Sequence, residues 1–204
     1  MNLQIFDTNV LKQQLNGLSF SQSLAFAAAC CERILPNYNA FSRTENWGDT
    51  CLLRTAVDEV WQILKGKPVD PVKINQLLQD CEEIIPDTED FTSEYTSAAL
   101  DASIAVYELL NACIDEDILH IVEVAKCARE TVYMFVDEKD NLEIYSVEQI
   151  LAKSIFTHPL MLREITQQEK HLQLIRSTDK LDESFLEMLR NSFDNNGKSN
   201  IDVI

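Results

Sequence analysis

The chain has 204 residues, 46% of them hydrophobic, which is enough to bury one domain's core and excludes general disorder. Its formal net charge of −17 comes from 34 Asp and Glu against 17 Lys and Arg. A nucleic-acid backbone is therefore not an expected partner, because the usual electrostatic attraction becomes repulsion. The N-terminus MNLQIFDTN lacks the basic flank and apolar block of a signal peptide, and charge interrupts every apolar run. A cytoplasmic location and no membrane association are expected.

In chain order, Asp7-Thr8-Asn9 caps a short helix that Gly17 stops, and Ser19 with Gln22 forms a capping box for the next. That helix, FSQSLAFAAACCERIL, is expected to end at Pro36, since the residue before proline is pushed out of helical geometry. Asn37–Gly48 then reads as a connector anchored by Tyr38, Phe41 and Trp47. Asp49 or Thr50 caps a helix to about Lys65, which Gly66 terminates. Asp70-Pro71 caps the following one, which runs to Pro86. Residues 94–136 hold two long helical stretches joined at a short acidic turn, without Pro or Gly. The first is apolar on most sides, apart from a seven-residue stripe of Glu94, Asp101, Glu108 and Asp115, and so reads as the central helix.

Asp137–Asn141 reads as a turn, and Ser146 with Gln149 as another capping box opening a short helix through Ile150, Leu151 and Phe156. Helices over about Leu160–Ile175 and around Leu181–Leu189 follow, and the last residues, about 191–204, read as a polar, frayed tail. Strand alternation is absent except briefly at Leu142–Tyr145. The expected fold is an all-α single-domain bundle over residues 1–204, mostly up-and-down, with about seven to nine helices.

Few patterns carry chemistry. There is no GxxxxGK[ST], GxGxxG or HExxH motif, and four glycines leave little room for phosphate-cradling loops. None of His120, His158 and His171 stands in a recognisable nucleophile arrangement. The six cysteines, Cys30, Cys31, Cys51, Cys81, Cys113 and Cys127, form no CxxC pair and read as small buried hydrophobes. Glu116, His120 and Glu123, with Glu108 from the partner helix, are the residues a metal would use, but their order departs from the carboxylate-bridged bundle pattern. Neither a metal nor another cofactor is expected. A second cluster, Glu32, Arg33, Asn37, Tyr38, Trp47, Asp49 and Arg54, reads either as a binding cleft or as a tied-down helix connection.

Charge distribution is the stronger signal. From Ile74 to Ala125 there are 13 carboxylates and no Lys or Arg, with Asp87, Glu89 and Asp90 concentrated in one loop. This pattern favours an acidic protein-interaction module with a basic protein partner. The alternatives are a homodimer and a metal-dependent or small-molecule enzyme with a carboxylate/histidine site.

The stretch FAAACCERILPNYNAF resembles the signature of a YjaG-like family of bacterial proteins, a domain of unknown function. The likeness continues through Asp49 and Trp61, then CEEIIPDTEDF, ALDASIAVYEL, LHIVEVAK and the ending GKSNIDVI. It implies an all-helical fold and carries no activity, substrate or cofactor. The residues that carry it include Cys31, Glu32, Arg33, Pro36, Asn37, Tyr38, Phe41, Pro86, Asp90, Asp101, Ala102, Glu123, Ser199 and Asn200. Resemblance at the ending implies that Ser199–Ile201 docks on the bundle.

Overall fold

Capping chemistry sets most helix starts. The computed structural model describes residues 7–139, 155, 157–193, 195 and 197–204. The Asp7 side chain accepts from Asn9 N–H to open α1 (Thr8–Leu15). Ser19 and Gln22 form the reciprocal capping box of α2 (Phe20–Glu45). Asp49 caps α3 (Thr50–Leu64), and Asp70 caps α4 (Pro71–Glu82), whose first residue is proline. α5 (Thr96–Asp115) and α6 (Ile118–Lys139) form a hairpin turned by Glu116 in left-handed geometry, at φ 58°. His158 caps α7 (Pro159–Arg176) through its side chain, and Asp182 caps α8 (Glu183–Arg190). The eight helices described make an all-α bundle, mostly up-and-down, with no strand among the described residues. Asp137–Lys139 of the anticipated turn are helical, as the end of α6, and the rest of it lies outside the described residues. The Ser146–Gln149 capping box, the helix after it and the Leu142–Tyr145 strand reading lie outside the described residues.

α2 does not stop at Pro36; it continues for nine more residues. Proline removes the N–H that the Glu32 carbonyl would accept and opens that turn. The Arg33 carbonyl, in the same turn, instead accepts from Asn200 N–H at 3.1 Å. Asn37, Tyr38 and Phe41 beyond the proline are fully buried, so tertiary packing holds them helical against the local preference.

The core lies where α2, α5 and α6 meet, lined by Ala25–Ala29, Ala99, Ala102, Ala105, Ala125 and Ala128. Small side chains let the backbones approach, and Leu109, Leu110, Trp61 and Ile121 fill the remaining space. α5 is long and apolar enough to cross a membrane by length and composition, which charge interruption had argued against. It is instead the inner helix of the bundle, packed on α2, α3, α4 and α6. Five of the six cysteines are buried as expected, whereas Cys51 is exposed.

One turn depends on glycine. Gly48 has φ +81°, and a Cβ there would stand 2.1 Å from Tyr38 Oη. That hydroxyl donates to the Ile84 carbonyl at 2.9 Å and ties α2 to the end of α4. Gly48→Ala should therefore cost about 1–3 kcal/mol of stability by chemical denaturation. Unchanged stability would show that the turn relaxes freely.

Candidate functional site

The bundle encloses a connected polar cluster. Arg33 on α2 is fully buried and meets Glu164 on α7 in a two-pronged pair, Nη2 to Oε1 at 2.7 Å and Nε to Oε2 at 3.2 Å. Burial disfavours the Arg33 charge, but Glu164 outweighs it, and Arg33 remains a cation. Arg33 also donates to the Ala29 carbonyl at 2.9 Å and to Cys30 Sγ at 3.2 Å. Burial pushes the Cys30 thiol up against the lowering effect of Arg33, so it is held neutral. Gln168 bridges onward: its amide donates to Glu164 at 2.8 Å and to the Ala125 carbonyl at 3.0 Å, while its oxygen accepts from Arg129 Nε at 2.8 Å. The cluster thereby joins α2, α6 and α7.

His171 closes the cluster on the other side. Its Nδ1 lies 3.1 Å from Arg33 Nη1, and its Nε2 lies 2.6 Å from Ser192 Oγ. A guanidinium has only hydrogens to offer, so Nδ1 is the acceptor and the proton sits on Nε2. The Gln167 side-chain amide also lies 2.8 Å from Nε2 and shares that proton's side of the ring with Ser192, which donates to the Leu189 carbonyl at 2.6 Å. Burial, with Arg33 beside it, pushes the His171 pKa down to about 3. The Ser192–His171 contact lacks the orienting carboxylate of a serine–histidine–aspartate triad, because a guanidinium occupies that side of the ring. The arrangement suits a fixed, neutral connector.

The residues about 191–204 do not fray at their far end. Ser199, Asn200 and Ile201 are buried. Asn200 donates to the Ala128 carbonyl at 2.8 Å and accepts from Asn37 at 3.1 Å, while Arg163 donates to its carbonyl at 2.8 Å. The Ser199 hydroxyl accepts from the Ile201 and Val203 N–H groups. Polarity alone pointed to solvent, but the Asn200 side chain spends its polarity on the Asn37 side chain of α2 and the Ala128 carbonyl of α6.

The remaining residues of the proposed cleft are largely fasteners. The Glu32 carboxylate is taken by Arg54 at 2.6 and 2.8 Å, Trp61 Nε1 at 2.8 Å and Arg190 at 2.9 Å, which ties α2, α3 and α8 together. Asp49 is occupied as the α3 cap. Trp47 packs on Phe41 and Phe91, with ring centroids 5.9 and 5.0 Å away. Thus Arg33, Asn37 and Tyr38 are inaccessible, and Glu32 and Arg54 are paired with each other.

The metal candidates do not assemble. His120 sits between Glu108, in very close contact, and Asp115 at 3.0 Å. Glu116 is exposed in the turn, and Glu123 pairs with Lys126 at 3.0 Å. Among the described residues no group of three His, Cys, Asp or Glu is placed to hold a metal ion. Burial works against the His120 charge, but its hydrogen bonds to Glu108 and Asp115 prevail and raise its pKa. That raised value adds stability below the ordinary histidine range, and the contribution is lost as pH rises through it. In an NMR titration His120 should titrate above about 6.5 and His171 should stay neutral down to about pH 4. The reverse order would refute both assignments of charge.

The connection from α4 to α5 is different in kind. Glu82, Glu83, Asp87, Glu89, Asp90 and Glu94 are all exposed, and none has a basic partner among the described residues. The loop's shape is nevertheless fixed. The Asp87 side chain accepts from Glu89 N–H at 2.9 Å, and Phe91 packs edge-on against Phe41 at 5.0 Å.

The pattern that defines the DUF416 family, described as a protein of unknown function, matches residues 10–203. The chain belongs to the DUF416 family. It is 29% identical over 197 residues to the "Uncharacterized protein YjaG" of Escherichia coli (strain K12), covering 96% of this chain and 97% of that one. An "Uncharacterized protein" of Haemophilus influenzae is 28% identical over 197 residues, with the same coverage. A crystal structure of a DUF416 family protein from Shewanella baltica OS155 superposes with a TM-score of 0.83 at 29% identity, covering 94% of this chain and 96% of that one.

Within this DUF416 chain, many residues that carried the family resemblance are interior fasteners: Glu32, Arg33, Asn37, Tyr38 and Asn200 each hold two elements together. Sequence reading missed Glu164, Gln168 and Ser192, and found no arrangement around His171. The available signal was the spacing of Glu164, Gln168 and His171, which puts three polar groups on one helix face.

Proposed function

We propose that this DUF416 protein is an interaction module whose acidic α4–α5 corner receives a basic segment of a protein partner. The observation behind this reading is the row of six exposed, unpaired carboxylates on a loop of defined shape. A chain that neutralises charge elsewhere by pairing, as at Glu32, Glu59 and Glu164, leaves this corner uncompensated. Such a surface steers a basic partner and fixes its orientation more than it adds raw affinity. The corner is held in one shape by α2, through the Tyr38 hydroxyl on the Ile84 carbonyl and Phe41 against Phe91.

The test is capture of partners from the host's own extract at low and high salt, in parallel with the variant Asp87→Asn/Glu89→Gln/Asp90→Asn. A partner released by salt and absent from the variant is expected. Retention of the same partners by both proteins would overturn the reading. The three substitutions should each change stability by less than about 0.5 kcal/mol, so loss of binding is not loss of fold.

A further inference from the structure

Half of the described basic side chains of this acidic chain sit in ion pairs. Among the described residues eight Lys and Arg side chains pair with carboxylates. Three that do not, Arg43, Lys139 and Lys198, line one recess of about 630 Å³ where the ends of α2 and α6 meet the last residues. The recess is also walled by Tyr95, Phe135 and Leu160. The Lys139 ammonium lies 4.3 Å from the Phe135 ring centroid, so its hydrogens remain free for an incoming acceptor. Arg43 contacts the Ile204 carbonyl, which uses one side of its guanidinium fork. One carboxylate, Asp202, shares the wall, but it is already engaged by Arg163 at 2.9 Å and Asn195 at 2.8 Å.

Arg43, Lys139 and Lys198 thus share one recess with a single carboxylate, Asp202, on a molecule whose net charge is −17. We propose that this recess binds a small organic phosphate: Arg43, Lys139 and Lys198 hold the phosphoryl oxygens, and Phe135, Leu160 and Tyr95 face the organic part. A guanidinium fork with two ammonium groups matches a dianionic phosphoryl group in charge and in donor number. Side-chain cations do this without a glycine-rich loop, which this sequence lacks. None of the six corner carboxylates lines the recess, although Glu94 adjoins Tyr95, and the variant Asp87→Asn/Glu89→Gln/Asp90→Asn leaves every lining residue in place, so the two readings are tested separately.

The probe is phenyl phosphate, titrated into the full chain and followed by amide NMR shifts, with inorganic phosphate, benzoate and phenol alongside. Phenyl phosphate should shift the amides of Tyr95, Phe135 and Ile201 saturably and bind more tightly than inorganic phosphate. Phenol should not bind. Lys139→Gln, which has no ion pair to lose, should weaken phenyl phosphate roughly tenfold at unchanged melting temperature. Arg43→Gln should weaken it similarly. Benzoate binding as tightly as phenyl phosphate would overturn the phosphate assignment. The absence of saturable shifts, or equal affinity in Lys139→Gln, would overturn the site.

Discussion

Glu164→Ala is expected to destabilise the protein by about 3–5 kcal/mol, because it leaves the fully buried Arg33 guanidinium without a counter-charge. Gln168 also loses an acceptor for its amide. The informative comparison is the double variant Arg33→Met/Glu164→Met, which removes both charges and refills the space. It should recover much of the loss, since an apolar pair avoids the desolvation cost that the ion pair carries. Chemical denaturation of wild type, single and double variants measures this directly. A Glu164→Ala cost below about 1 kcal/mol would mean that water reaches Arg33 and the cluster is not sealed.

The second large effect concerns Asp101 on α5. Burial raises its pKa to about 7, opposed by the hydrogen bond from Thr131 and helped by nearby Glu130. Thr131 Oγ1 lies 2.9 Å from both Asp101 Oδ2 and the Cys127 carbonyl, and it has one proton to give. A protonated Asp101 resolves the conflict by donating to Thr131, which then donates to Cys127. Between about pH 4 and 7 the folded chain keeps a proton that the unfolded chain has released, so this group's contribution to stability falls as pH rises through that window. The total change is about 2–4 kcal/mol. Asp101→Asn can donate to Thr131 at every pH. The variant should be the more stable protein at pH 8 and should lack this part of the slope in a pH series of urea unfolding curves. Parallel curves for the two proteins would show that Asp101 ionises normally.

Helices were legible wherever local chemistry decides them. Ser19 with Gln22, Asp49, and Asp70 with Pro71 mark starts that the structure keeps. The failure at Pro36 has a long-range cause. The backbone acceptor in that turn finds its donor in Asn200, far along the chain, and no local rule contains that partner. The same holds for the interior cluster. In sequence Arg33 belongs to a cleft or a tied-down helix connection, and only the juxtaposition of α2 with α7 identifies Glu164 as its buried partner. The acidic loop was legible because exposed charge needs no partner to be recognised, whereas the basic recess was not, since Arg43, Lys139 and Lys198 are scattered in sequence.

The docking of Asn200 has a consequence for synthesis. Arg33 lies 131 residues ahead of Glu164 and 138 ahead of His171, and Asn37 lies 163 ahead of Asn200. While the chain emerges from the ribosome, the first long helix therefore carries a charge and open carbonyls whose partners have not yet been made. The nascent protein can collapse early around its alanine-rich helices, but it cannot close its interior until Asn200 has left the exit tunnel. Emergence of Asn200, rather than growth of any one helix, is then the step that lets the interior close.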